Sequence, residues 1–156
     1  MLAGVPLLLV LATAPAAEPS VQALRVSEEI RIDGRLDEPA WTTAPTASDF
    51  RQMEPREGEA ATEATEVSVL YDERNLYIGV RALDSEPDEV IARILRRDAL
   101  VRQSMDGRAR FAGDDIVALV LDTFHDRRNA FVFATNPNGA EYDGLITDEG
   151  LSLIHI

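Results

Sequence analysis

Carboxylates are the chemistry-bearing groups in which this sequence is richest: Asp and Glu supply 28 of its 156 residues. Two adjacent pairs, Asp37/Glu38 and Asp114/Asp115, are of the kind that general acid and base work at a glycosidic bond needs, with one carboxyl protonated and its partner ionised. So many acids also produce such pairs by chance, and adjacency alone assigns no hydrolase. Calcium ligation is the other use of the same groups. Asp72, Asp84, Asp114, Asp115, Asp122 and Asp126 fall where strands should meet loops, and Asp114, Asp115 and Asp122 bracket one apolar run. A hard cation collects oxygens from such loops, although the EF-hand spacing is not present.

Other chemistries lack their residues. Cysteine is absent, which removes disulfides, thiolate metal sites and cysteine nucleophiles. No loop has a phosphate-cradling glycine pattern, and no Ser, His and Asp set stands in a nucleophile-elbow context. Met53, Met105 and His125 form no arrangement that would ligate a haem. Fifteen basic residues, all Arg, against 28 acids leave a net charge of −13. That field disfavours nucleic acid and anionic membrane surfaces as partners. The Arg-only, Ala-rich usage is what GC-rich coding produces without any functional reason.

The elements that must position these groups read as strands. In residues 66–84, Val67, Val69 and Tyr71 alternate with other residues, and Leu76, Ile78, Val80 and Ala82 do so again after the polar loop of residues 72–75. A hairpin would pair Tyr71 with Leu76, Val69 with Ile78, Val67 with Val80 and Glu66 with Arg81, so one register satisfies every pair. Residues 23–26 and 30–32 read as two short neighbouring strands. Pro39 and the acids before it suit a first helical turn that swings Trp41, the only tryptophan, into the core. Residues 42–64 read as an irregular crossing with Phe50 and Met53 inward.

Beyond the hairpin, residues 85–88 have the form of a helix start with Ser85 as cap, followed by either an apolar helical face or an edge strand over residues 91–96. Residues 99–113, carrying Arg102, Arg108 and Arg110 among Gly107 and Gly113, read as a mobile, solvated loop. Six apolar residues, 116–121, mark a strand covered on both faces in the middle of the core. Residues 130–135 are its hairpin partner, residues 136–139 a turn, and Asp143-Gly144 the opening of whatever follows. Tyr71, Phe131 and Phe133 join Trp41 as structural aromatics. Many short strands with few helices indicate an antiparallel β-sandwich, an all-β class.

Both ends read as foreign to the fold. The apolar residues 5–11, followed by the small-x-small Ala14-Pro15-Ala16, make residues 1–17 a secretory signal peptide, although no basic residue precedes the run. The run carries Pro6 and is too short for a transmembrane helix. An exported protein follows, placed in the periplasm, at the outer membrane or outside the cell. Residues 151–156, LSLIHI, resemble the translation of a transposon-end sequencing adapter, CTG TCT CTT ATA CAC ATC. One domain over residues 18–150 is the expectation, cut short of its natural end.

Three ordered motifs, IDGRLDEPAW, TEVSVLYDERNLYIGVRALD and DDIVALVLDTFHDRRNAFVFATNPNG, together resemble the family 9 carbohydrate-binding, or DOMON-like, domain. The match runs from about Ile30 to Asp143 and is closest to the variant found at the N-terminus of bacterial exported proteins with a barrel-like C-terminal region. The resemblance implies a β-sandwich with no catalytic residues of its own, a glycan as ligand, and calcium in some members. Founding members, attached to xylan-degrading enzymes, place a Trp before the strand matching residues 115–122, a Glu on it, an Arg on the next strand, and a later second Trp. This chain has Phe111 and Ala112 in the first region, Ala118 at the Glu and Ala134 at the Arg. Phe111, Arg110 and Asp115 are then the ligand-binding candidates, and xylan and cello-oligosaccharides should bind weakly or not at all. The role implied is glycan recognition in a protein linked to polysaccharide degradation. The alternative is an interaction or plug domain of an outer-membrane barrel that binds no sugar, its partner being the remainder of its own chain.

Overall fold

The computed structural model describes residues 20–103, 109–111, 113–147 and the backbone of 152–155, and the side chains of residues 102, 103, 109 and 110 are not among those described. The expected signal peptide, Met105, Arg108 and Ala112 lie outside this set. The described chain is all-β apart from one helical turn, α1 (Pro39–Thr43), and a 3-10 turn. Its strands are β1 (Leu24–Arg25), β2 (Thr46–Ala47), β3 (Thr65–Tyr71), β4 (Leu76–Ala82), β5 (Val101–Gln103), β6 (Ala109–Phe111), β7 (Val117–Leu121), β8 (Ala130–Thr135), β9 (Glu141–Thr147) and β10 (Ser152–His155). They fall into two compact units that divide between Ser85 and Glu86.

In the first unit, β3 and β4 form the expected hairpin in the expected register, with Glu66 opposite Arg81, Val67 opposite Val80, Val69 opposite Ile78 and Tyr71 opposite Leu76. Asp72 closes it by accepting from the backbone N–H of Arg74 and Asn75 and from the Tyr77 hydroxyl. These bonds, that of Arg74 first, hold its carboxyl well below the usual carboxylate range. β1 joins β3 in parallel and β2 joins it antiparallel.

The unit's compact core lies on the face of this hairpin opposite to the one the alternation suggests. Leu70 is fully buried there with Val26, Ile30, Ala40, Trp41 and Ala44, while Val67, Val69, Ile78 and Val80 are only half-buried. The cause is the pair Ser68 and Gly79, which stand opposite each other and leave a hollow that the indole of Trp41 fills. Glu38 fixes the ring: its carboxylate accepts from Trp41 Nε1 at 3.1 Å and from the Arg31 N–H at 3.0 Å. A Cβ on Gly79 would lie 2.7 Å from Cζ3 and 3.0 Å from Cε3 of Trp41. Overpacking of that kind costs about 1–3 kcal/mol, more than the roughly 0.4–1 kcal/mol that Ala contributes by restricting the unfolded chain. Gly79→Ala should therefore lower the urea midpoint, and an unchanged or raised midpoint would show that the indole can yield.

Several expectations in this unit, and in the residues that follow it, need correction. Residues 30–32 form no strand, because the Arg31 N–H is engaged by the Glu38 side chain and Ile30 turns into the core. Phe50 and Met53 point outward, Met53 being 86% exposed, since the Trp41 cluster is already complete without them. Ser85 does not cap a helix. Its hydroxyl donates to Glu63, and the helical start is the single turn Pro87–Glu89 behind Glu86, with no ladder over residues 91–96.

The second unit holds an antiparallel sheet in the order β10-β9-β8-β7 and the small hairpin β5-β6. β7 and β8 pair as expected, from Val117 opposite Thr135 to Leu121 opposite Phe131. β7 is nevertheless an edge strand and not the middle of the core: among the described residues it pairs only with β8, and Val120 is 60% exposed. A continuous apolar run carries no alternation, so its composition could not distinguish a covered centre from an apolar edge. Residues 136–139 turn as expected, Asn136 accepting through Oδ1 from the N–H groups of Asn138 and Ala140 and Gly139 taking φ +73°. Asp143-Gly144 opens no turn; it lies inside β9, with Gly144 opposite Val132. The segment read as a mobile loop is also ordered where described. Leu100 is fully buried with Val132, Ala134, Ala140 and Tyr142, and Val101 pairs with Phe111.

Candidate functional site

The face of this sheet opposite the Leu100 cluster changes character along its length. Residues paired across antiparallel strands share a face, so the register gives three rows: Leu121-Phe131-Leu145, Leu119-Phe133-Asp143 and Val117-Thr135-Glu141. The first row is wholly apolar, the second mixed and the third mostly polar. An open groove of about 400 Å³ lies over the mixed and polar rows. Its floor is Val117, Leu119 and Phe133, with Phe133 41% exposed, and its rim is Arg97, Glu141 and Asp143.

Arg97 is held in place by three acids. It donates through Nη1 to Glu141 Oε2 at 3.1 Å and through Nη2 to Asp143 Oδ1, and its Nε lies 3.7 Å from Asp98 Oδ2. The hydrogen bond and charge of Asp143, followed by Asp98 and Glu141, raise the guanidinium above its ordinary value, so it is a permanent cation. A backbone bond from Asp98 N–H to the Glu141 carbonyl, 2.8 Å, ties the Arg97 segment to β9. The result is a half-exposed aromatic ring beside a fixed, planar set of donors and acceptors. Such a set can orient a hydroxyl-rich ligand that rests an apolar face on the ring.

The residues singled out from sequence are dispersed. Phe111 is exposed on β6, and Arg110 is its neighbour there, paired with Arg102. Asp115 accepts from the Ile91 N–H at 2.7 Å. Asp114 accepts from the N–H groups of Arg93 and Ile94 and from Asn136 Nδ2, each at 2.9 Å. These bonds, Ile94 first, lower its pKa. Asp122 accepts from the N–H groups of Asp126 and Arg127 in the β7-β8 turn. The two ends of β7 therefore separate Asp114 and Asp115 from Asp122, by at least about 23 Å of extended chain. Among the described residues no group of three or more His, Asp or Glu could hold a metal ion.

Glu38 clamps Trp41, and its bonds, that from the Arg31 N–H first, lower its pKa. Trp41 is buried as expected, Phe131 is half-buried, and Tyr71 and Phe133 are 39% and 41% exposed. Arg97, Glu141 and Asp143 were not singled out from sequence. The signal was present in part: Glu141 and Asp143 stand two apart and so share a face once residues 141–147 are read as a strand. The chain matches no family model, no curated protein and no solved structure.

Proposed function

We propose that this chain is a non-catalytic carbohydrate-binding domain of the family 9-like, β-sandwich kind, belonging to an exported protein linked to polysaccharide degradation. The observation that carries the reading is the groove in which exposed Phe133 adjoins Arg97, Glu141 and Asp143. Sugar rings present an apolar face and a rim of hydroxyls, and that groove offers a partner to each. The wholly apolar row Leu121-Phe131-Leu145 on the same face supports a sandwich, because such a row requires cover. The family clamp positions supply no polar side chain to the groove: Ala134 lines it as an alanine, and Ala118 is not among its lining residues. Ala118 and Ala134 pair with each other on the opposite face, where Ala134 is buried.

Calorimetry of the full chain against neutral oligosaccharides is the test. Xylan and cello-oligosaccharides should bind weakly, since the clamp that reads them is replaced. For whichever glycan binds, Phe133→Ala should lower affinity about tenfold, the scale of one lost aromatic contact, with the far-UV circular dichroism unchanged. Unaltered affinity in that variant would place the site elsewhere, and no binding to any glycan would favour the barrel interaction domain.

A further inference from the structure

We propose that β7 is a docking edge for an extended segment of a partner protein, a segment with apolar residues in alternation and a basic residue at each end. The inference is independent of the glycan reading. Among the described residues β7 is bonded on one side only, so its other side presents a row of backbone N–H and C=O groups. Sheet edges are ordinarily protected by a charge, a proline or a bulge. β7 has none: its sequence is Val-Ala-Leu-Val-Leu, and its register with β8 runs unbroken through five pairs. Ala118 and Val120 are also exposed, so one face of the strand is open beside its unpaired edge.

Charge at the two ends chooses the occupant. Asp114 and Asp115 precede the strand and Asp122 follows it. If a second copy paired antiparallel about Leu119, Asp122 of each copy would fall within one residue of Asp115 of the other. Parallel pairing would set the acids directly side by side, and a net charge of −13 opposes both arrangements. A strand with basic ends meets an acid at each end whichever way it runs. Asp115 and Asp122 are seven residues apart, so the basic residues should be spaced about 23 Å along an extended chain. This is strand addition, with the ladder supplying affinity and the ends specificity.

The full chain is titrated with two capped eight-residue peptides in which Val and Thr alternate between terminal arginines or between terminal glutamates. The arginine peptide should bind about tenfold tighter, lose affinity as salt is raised, and slow amide exchange at residues 117–121. Val120→Lys, at an exposed position, should leave the circular dichroism intact and weaken the arginine peptide about tenfold. Equal binding of the two peptides, or indifference to Val120→Lys, would overturn the proposal. So would protection of residues 117–121 in the free chain, whether by a dimer or by another segment of the same chain.

Discussion

Trp41→Ala should cost the first unit about 3–5 kcal/mol, as read from the urea midpoint by circular dichroism. The helix that carries Trp41 is a single turn with no side-chain cap, too short to hold itself. What keeps it on the sheet is the indole, 9% exposed, lying over Gly79 among Val26, Ile30 and Leu70. Truncation leaves a cavity that cannot close from below, because Ser68 and Gly79 have almost no side chain to move into it. The loss is comparable with the whole stability of a small domain, about 5–15 kcal/mol, so Trp41→Phe is the companion measurement. Phe refills most of the hollow but gives up the bond to Glu38, and it should recover more than half of the loss. A Trp41→Ala midpoint shift worth less than about 1 kcal/mol would show that the indole is not the keystone of this core.

The same residue shows how far the sequence could be read. Trp41 was legible as a buried plug because a lone tryptophan after a proline-led turn has few other uses. The β3-β4 register was legible because four cross-strand pairs agreed on it, and the β7-β8 pairing because a polar turn separated two strand-like runs. What could not be read was which face each sheet would cover. Gly79 looks like a weak point in a strand until the ring that needs its missing Cβ is in view. Val67, Val69, Ile78 and Val80 look like core until Ser68 and Gly79 are seen to make the other face concave. At the candidate site the distance in sequence was the obstacle, since Arg97 lies in a run of charged residues 44 positions before Glu141 and 46 before Asp143. Only the ladder that sets Asp143 beside Phe133 makes them one place.

Leu100→Ala should destabilise the second unit by about 2–5 kcal/mol and weaken the groove as well. Leu100 is fully buried, one of only two described side chains of its size so enclosed, and it packs with Val132, Ala134, Ala140 and Tyr142. It stands immediately before β5 and two residues after Asp98, whose N–H bonds the Glu141 carbonyl. The side chain thus anchors from beneath the sheet the segment whose Arg97 reaches Glu141 and Asp143 on the other face. Removing it leaves a void under Val132 and Ala134 and frees that segment to move, so Arg97 would spend less time on its acids. Two readouts separate the effects. The urea midpoint should fall by the cavity cost, while at a temperature where the variant is still folded, glycan affinity should drop several-fold without any groove residue having been changed. Phe133→Ala should show the converse, a loss of affinity with little change in midpoint, because its ring is already 41% exposed. If Leu100→Ala lowers stability and leaves affinity intact, Arg97 is held by its acids alone and the buried anchor does not position the site.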